Sequence, residues 1–327
     1  MINHFGATLP QAKATWEDVV VAARELEALG YDSLWTDDHL QLPYNGNAET
    51  PLFEPWSLLA AIAPLTKRAQ IGTNVTNTMF RHPAVLAKQI VTVDHVSRGR
   101  VVAGFGAGYY TKEFIQNGCP PWNMSARVEA LTEMVPLIRS IMRSEVVTFE
   151  GTYFKMRGAR AFPSPLNDVP VMVCGASERI LALAAAHADV WNHPPTFRPT
   201  LAGTVRRLRK ACATLGRDPD TLTISARVRA ILGQTESDLR KSERLARERL
   251  GDGPVDEIVE HGLYGTPEQM CDRLAAHANT GCSALIIDFY GAPRLESAAM
   301  MAESASLLGT FRAALRGGPV RTKPTMG

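Results

Sequence analysis

The sequence predicts one α/β domain of the (β/α)8-barrel class. Three observations carry that expectation. Apolar segments of strand length alternate with amphipathic helices from end to end, and nearly all of the eight strand candidates are followed by a helix. The central strand candidates are apolar throughout, as parallel strands covered on both faces are. Eight such units in 327 residues suit a closed barrel better than an open doubly wound sheet, the alternative for this alternation.

The units follow in order. HFGATL (4–9) is a short strand, and Thr15 to Leu29 a helix with Trp16, Val19, Val20, Ala23 and Leu26 on one face, stopped by Gly30. DSLWT (32–36) is the second strand, followed by a helix over 54–65. AQIGTNV (69–75) is the third, followed by a helix from Pro83 to Val96 with proline in its first turn. RVVAGFG (100–106) is the fourth. An insertion then interrupts the rhythm, with a helix over 126–142 and a hairpin over 146–156 turning at Glu150-Gly151. VPVMVCG (169–175) resumes it, with helix 177–187, strand 188–192, helix 200–215, strand 222–232 and helix 236–249 after it. A helix over 267–279, a strand over 283–290 and a last helix over 294–315 complete the set. The domain is expected to span 1–316, with 317–327 a flexible tail.

Composition narrows the function classes. A net charge of +2 gives no basic surface for nucleic acid. No apolar run approaches the roughly 20 residues of a membrane span, and the N-terminal MINHFGATLPQ lacks the pattern of a signal peptide. Five cysteines, scattered without a CxxC pair, read as reduced thiols in a cytoplasmic protein and not as a zinc site. Metalloprotease, EF-hand, Walker and nucleophile-elbow motifs are absent, and carboxylates at strand ends are too few and unpaired for a glycosidase.

In a barrel of this class the active site forms at the carboxyl ends of the strands, so the strand exits are the places to look for chemistry. The second exit reads Asp37-Asp38-His39. A histidine after a strand is structural more often than catalytic, but this position favours an acid/base, with Asp37 or Asp38 orienting the ring, raising its pKa, or simply capping the loop. The third exit is Asn74-Val75-Thr76-Asn77. The fourth, GFGAGYY (104–110), suits a flat cofactor lying against backbone, or a loop that needs positive φ. The fifth, Gly175-Ala176-Ser177-Glu178-Arg179, is either a phosphate cradle at a helix start or a plain N-cap with a solvated arginine. His193 marks the sixth exit. Arg227 and Arg229 share one face of the seventh strand, as mouth cations or as salt-bridge partners.

These stretches, in this order, resemble the bacterial luciferase-like flavin-dependent oxidoreductases, and within them the branch that uses the deazaflavin coenzyme F420. The likeness runs from Phe5 to Asn192 through AARELEALGYDSLWTDDHL, the RHP-x-x-x-AK stretch, the SxGR turn, the GxGAG exit, GTYFKM and VPVMVCGASERILALAAAHADVWN. It implies a luciferase-like barrel with its insertion after strand four, and His39 beside the reactive ring carbon. It implies a cis peptide at Asn74–Val75 backing the ring, with Asp38, Thr73, Asn74, Val75 and Thr76 bordering the cofactor. Gly106, Ala107, Gly108 and Tyr110 would line ring and tail, and Gly175, Ala176, Ser177 and Arg179 the phosphate region. The expected activity is hydride transfer between F420 and a small organic substrate: a carbonyl, imine or activated alkene. An FMN-dependent monooxygenase using reduced flavin and O2 is the alternative, and a flavin-binding member without chemistry a third reading. The resemblance also carries a homodimer and a reductase that supplies reduced cofactor. Two departures stand out. Sugar-phosphate dehydrogenases of this kind place a glutamate after the fourth-strand glycines, where Tyr109 and Tyr110 stand here, and a tryptophan where this chain has Pro43. Glucose-6-phosphate is therefore not the expected substrate.

Overall fold

The computed structural model describes residues 2–41, 50–143, 145–195 and 200–291. The predicted last helix over 294–315, the tail 317–327 and Pro43 lie outside the described residues.

Twelve strands are described: β1 His4–Thr8, β2 Ser33–Thr36, β3 Gln70–Thr73, β4 Thr76–Asn77, β5 Val101–Gly106, β6 Val147–Glu150, β7 Lys155–Ala159, β8 Val171–Cys174, β9 Val190–His193, β10 Thr223–Leu232, β11 Leu263–Gly265 and β12 Ala284–Tyr290. Eight of them pair in parallel in the order β1-β2-β3-β5-β8-β9-β10-β12, and β12 returns to β1, so the sheet is a closed barrel. The helices are α1 Trp16–Ala28, α2 Pro55–Ile62, α3 Pro83–Ser97, α4 Thr111–Gln116, α5 Met124–Met142, α6 Glu178–His187, α7 Leu201–Thr214, α8 Glu236–Leu250, α9 Asp252–His261 and α10 Pro267–Asn279.

Local chemistry accounts for the boundaries. Thr15 caps α1 in a reciprocal box with Asp18, and Gly30 leaves the helix at φ 96°, which L side chains rarely adopt. The buried stripe of α1 is Val19, Ala22, Ala23 and Leu26. Trp16 is exposed, because the i, i+3, i+4, i+7 stripe begins one turn after it. The side chain of His82 caps α3 ahead of Pro83. The predicted third strand is broken: the Asn74–Val75 peptide is cis, and the chain resumes as β4 beside β5. The insertion contains α4 and the β6–β7 hairpin, while α5 packs between α3 and α6 as the helix layer of the fourth unit. Three short elements, α4, α9 and β11, were not expected from the sequence.

The barrel interior is filled by unequal neighbours. Trp35, Val102, Met172 and Ile286 form a buried cluster inside the strands, and Trp35 donates its indole N–H to Ser33 Oγ at 2.7 Å. The strands beside Trp35 carry glycine. A Cβ on Gly6 would overlap Ser33 and the Trp35 indole, and one on Gly72 would overlap the Val102 carbonyl. Gly104 and Gly106 face the bulge: a Cβ there would overlap the Thr73 carbonyl or Val75. These two glycines of the fourth exit thus make room for the cis segment.

Above the apolar plug lies an ionic layer. Arg227 of β10 reaches inward to Asp37 (Nη1–Oδ1 2.5 Å, Nη2–Oδ2 2.9 Å) and to Asp288 of β12 (Nε–Oδ2 2.8 Å, Nη2–Oδ1 3.0 Å). It also donates to the carbonyl of Asn74 at 2.9 Å, and Thr8 of β1 donates to Asp288 at 2.5 Å. Arg227 is thus a salt-bridge partner, one of the two roles open for it in the sequence.

Two stability measurements follow. Gly104→Ala overpacks the junction of the bulge and the plug, and is expected to lower stability by about 1–3 kcal/mol in urea unfolding; an unchanged midpoint would contradict the packing role. Arg227→Met leaves Asp37 and Asp288 without their counter-charge and is expected to cost about 3–5 kcal/mol. A loss within error of zero would mean that the layer does not hold the strand ends together.

Candidate active site

The exit of β2 brings His39 to the mouth directly above the ionic layer. Its ring is held from the insertion: Nδ1 lies 2.9 Å from Oε2 of Glu113 on α4. The Glu113 carboxylate is fully buried and accepts, on Oε1, the backbone N–H groups of Leu40 and, at 2.8 Å, Gln41. One carboxylate therefore fixes both the ring and the loop that carries it. Nε2 of His39 has no hydrogen-bond partner among the described residues. The Tyr109 ring stands edge-on to the imidazole, centroids 5.4 Å apart, and is itself 67% exposed.

The aspartates before the histidine turn away from its ring. Asp37 is taken by Arg227, and its backbone is clamped by Gln11, which accepts from the Asp37 N–H and donates to the Asp37 carbonyl, both at 2.8 Å. Asp38 is buried, pairs bidentately with Arg81 (2.5 and 3.0 Å) and accepts the Asn77 N–H at 2.8 Å. Arg81 also pairs with Glu54. The expectation that Asp37 or Asp38 orients the ring is corrected: Glu113 does so, and the aspartates act through their charge. Burial of His39 opposes its protonation. The Glu113 hydrogen bond and the charges of Asp37, Glu113 and Asp38 outweigh that, so its pKa stands above the ordinary 6.5. Asp37 stays below the usual carboxylate value, because Arg227 more than offsets its burial.

The remaining expected residues fall into three groups. Thr73 and Thr76 are fully buried, with hydroxyls 2.6 Å apart, and Trp56 donates to Thr76 at 3.2 Å, so these side chains are committed within the wall. Asn74 and Val75 form the cis bulge, and Asn192 of β9 donates across the interior from its Nδ2 to Asn74 Oδ1 at 3.3 Å. Gly106 and Ala107 end β5. Gly108 turns the chain at φ 71° against Asn77 and Phe114, and Tyr110 precedes α4. At the fifth exit Gly175 takes φ 140° and Ala176 leads to Ser177, which caps α6 by accepting from Ile180 N at 3.4 Å. Arg179 points to the outside, where it pairs with Glu129 at 2.6 Å and Ser125 at 3.2 Å. It lines a groove between α5, α6 and α7 and not the mouth.

Two polar atoms beneath the mouth lack partners. Asn74 Nδ2 and Asn192 Oδ1 are buried without a hydrogen bond, a state that costs about 1–3 kcal/mol per group unless something completes it. A donor and an acceptor side by side fit the polar edge of a flat heterocycle. Glu113 was missed by the sequence reading, while Gln11 and Asn192 stand at the first and sixth strand exits without a predicted role, and Tyr109 within the fourth. For Glu113 the signal was a lone acid in a polar stretch after the fourth exit. No group of three or more His, Cys, Asp or Glu side chains among the described residues is placed to hold a metal ion, and no described helix is long and apolar enough to cross a membrane.

Comparison with known proteins agrees with this architecture. An F420-dependent glucose-6-phosphate dehydrogenase of Amycolatopsis mediterranei (strain U-32) is 34% identical over 178 residues, 53% of this chain, which spans about half (51%) of that relative. An F420-dependent hydroxymycolic acid dehydrogenase of Mycobacterium tuberculosis is 28% identical over 247 residues, 73% of this chain and 65% of its own. Among solved structures, an F420-dependent secondary alcohol dehydrogenase in complex with an F420-acetone adduct superposes with a TM-score of 0.79 over 94% of this chain and 99% of that one, at 22% identity. An EDTA monooxygenase from Chelativorans sp. BNC1 does so at 0.78 over 98% and 95%, at 18% identity, so both are likenesses of fold. The sequence model of the luciferase-like monooxygenase family matches residues 1–248, and the chain belongs to that family.

Proposed function

We propose that this protein is a coenzyme F420-dependent oxidoreductase that moves hydride between the deazaflavin and a small organic substrate. The observation that carries the reading is His39, pinned at Nδ1 by buried Glu113 while Nε2 is left for a substrate atom. The names of the F420-dependent relatives support the choice of cofactor. The unpartnered amide atoms of Asn74 and Asn192 supply a donor and an acceptor for the ring edge. In this reading Val75 backs the ring, Gly106, Ala107, Gly108 and Tyr110 border it, and the backbone from Gly175 to Ser177 at the start of α6 holds the phosphate. Bound there, the deazaflavin supplies a carbon that gives or takes hydride.

The protein's own part is the proton. While Glu113 accepts the Nδ1 proton, neutral His39 presents a lone pair at Nε2 and can take the hydroxyl proton of an alcohol. Protonated, it presents Nε2–H and can give that proton to a carbonyl or imine. Its raised pKa favours the second role near neutrality. A homodimer and a reductase that returns the cofactor belong to the same reading. The four described cysteines, all unpaired, support a reducing, cytoplasmic setting. An FMN-dependent monooxygenase is the second reading, favoured by the description of the family itself.

Fluorescence titration separates the two. F420 is expected to bind with micromolar affinity and FMN far more weakly, and the reverse order would reject the deazaflavin. With a turned-over substrate, His39→Asn is expected to lower kcat by about 10²–10⁴-fold. In the reductive direction the rate should fall as pH rises through the raised His39 pKa. Glu113→Gln should move that fall to lower pH, because it removes the hydrogen bond and charge that hold the proton. An unmoved pH profile would assign the titration to another group.

A further inference from the structure

Arg229 is a cation with nothing to hold. It lies on β10 two residues beyond Arg227, and among the described residues its guanidinium makes neither a hydrogen bond nor an ion pair, although the residue is half-buried. The wall beside it is open. β10 pairs with β9 only as far as Ala226 and with β11 only from Ala230. The gap at residues 227–229 opens on a cavity of about 330 Å³ whose lining includes His193, Arg227, Arg229, Glu260, Arg273 and His277. That volume is at the low end for small-molecule sites.

The other charges of the lining are committed. Arg227 is bound by Asp37 and Asp288. The Arg273 guanidinium donates to the carbonyls of Val259, Glu260 and Gly262, at 2.8, 3.0 and 3.2 Å, capping the end of α9. His277 is kept neutral by burial, with Nδ1 2.9 Å from the Arg273 carbonyl. The Glu260 carboxylate is mostly exposed, 3.5 Å from His261. A half-buried guanidinium without a partner has lost hydration and gained nothing for it. Its planar fork matches a carboxylate or phosphate group.

We propose that this cavity receives an oxyanion of the substrate on Arg229, so that the substrate is a small organic acid or phosphate ester whose reacting carbon faces His39. Strand order favours the substrate over the cofactor as the source of the anion. β10 stands four places round the barrel from β3, opposite the Val75 bulge, and three from β5 with its exit at 106–110, while β8 with the exit at 175–177 stands midway. The cavity and the catalytic loop share one connection, since Arg227 lines the first and grips Asp37, two residues before His39. The charge of Arg229 also reaches the Tyr109 hydroxyl, whose ring borders His39. Assigning the anion to the substrate rests on the function proposed above; the anion site itself does not.

The test compares wild type with Arg229→Met and Arg229→Lys. Melting temperature is followed in inorganic phosphate against chloride at equal ionic strength, and F420 affinity is measured by fluorescence. Phosphate is expected to raise the melting temperature of wild type about 2–4 °C more than that of Arg229→Met, with Arg229→Lys between them. F420 affinity should stay within twofold in all three. Equal phosphate shifts in wild type and Arg229→Met overturn the anion site. A tenfold weaker F420 affinity in Arg229→Met overturns the assignment to substrate and gives Arg229 to the cofactor tail. Wild type that binds no F420 yet keeps the phosphate difference leaves the anion site standing, and the cofactor reading alone falls.

Discussion

The site depends first on Arg227. A guanidinium inside a barrel is tolerable only if its charge and its donors are all matched, and here two carboxylates and a backbone carbonyl match them. Because those partners come from β12, from the exit of β2 and from the cis bulge, with Thr8 adding β1 through Asp288, one side chain ties four strand ends to its own. The apolar plug below needs none of this, since its shape is set by Trp35 and the glycines beside it. The ionic layer above it is what converts a packed barrel into a fixed platform, and His39 begins two residues from its edge.

Fixing the loop and tuning the histidine fall to one acid, Glu113, while the two acids before the histidine pair with arginines. Asp37 pairs with Arg227 and Asp38 with Arg81, and their charges still raise the His39 pKa. Glu113 has no arginine. Its carboxylate takes two backbone N–H groups and the imidazole, and its hydrogen bond ranks ahead of every charge among the groups that raise the His39 pKa. The histidine thus holds its proton above its ordinary pKa without an exposed carboxylate beside the substrate.

Much of this was legible in the residues. Alternation and apolar strands located all eight barrel strands, and the polar exit after DSLWT pointed to His39. The failures have specific causes. Glu113 sits on a six-residue helix, too short to show a period, and its partner is 74 positions away. Helix α9 begins DGP, which reads as a turn, yet proline suits a first helical turn and Val255 and Ile258 face the core. The glycines of GFGAG suggested a ligand against backbone, whereas Gly104 and Gly106 answer to Val75 and only Gly108 to positive φ. Arg179 looked like a phosphate ligand by sequence distance from Ser177, but two residues of helix turn it to the outer face and to Glu129. Pattern finds elements; it does not say which of two equally polar faces looks inward.

The departure at the fourth exit bears on the chemistry. Where the sugar-phosphate dehydrogenases place a glutamate after the glycines, Tyr109 presents a largely exposed ring to His39, and the carboxylate that does approach the imidazole lies on the Nδ1 side. At the mouth, His39 Nε2 is a proton-transfer atom left without a hydrogen-bond partner among the described residues. A reaction matched to that arrangement moves one hydride and one proton, as between an alcohol and a carbonyl or an amine and an imine. The mouth thus carries an aromatic ring on the Tyr109 side, and Arg229 adds a cation on β10. The substrate proposed above would accordingly carry a compact apolar body with its anionic group at one end.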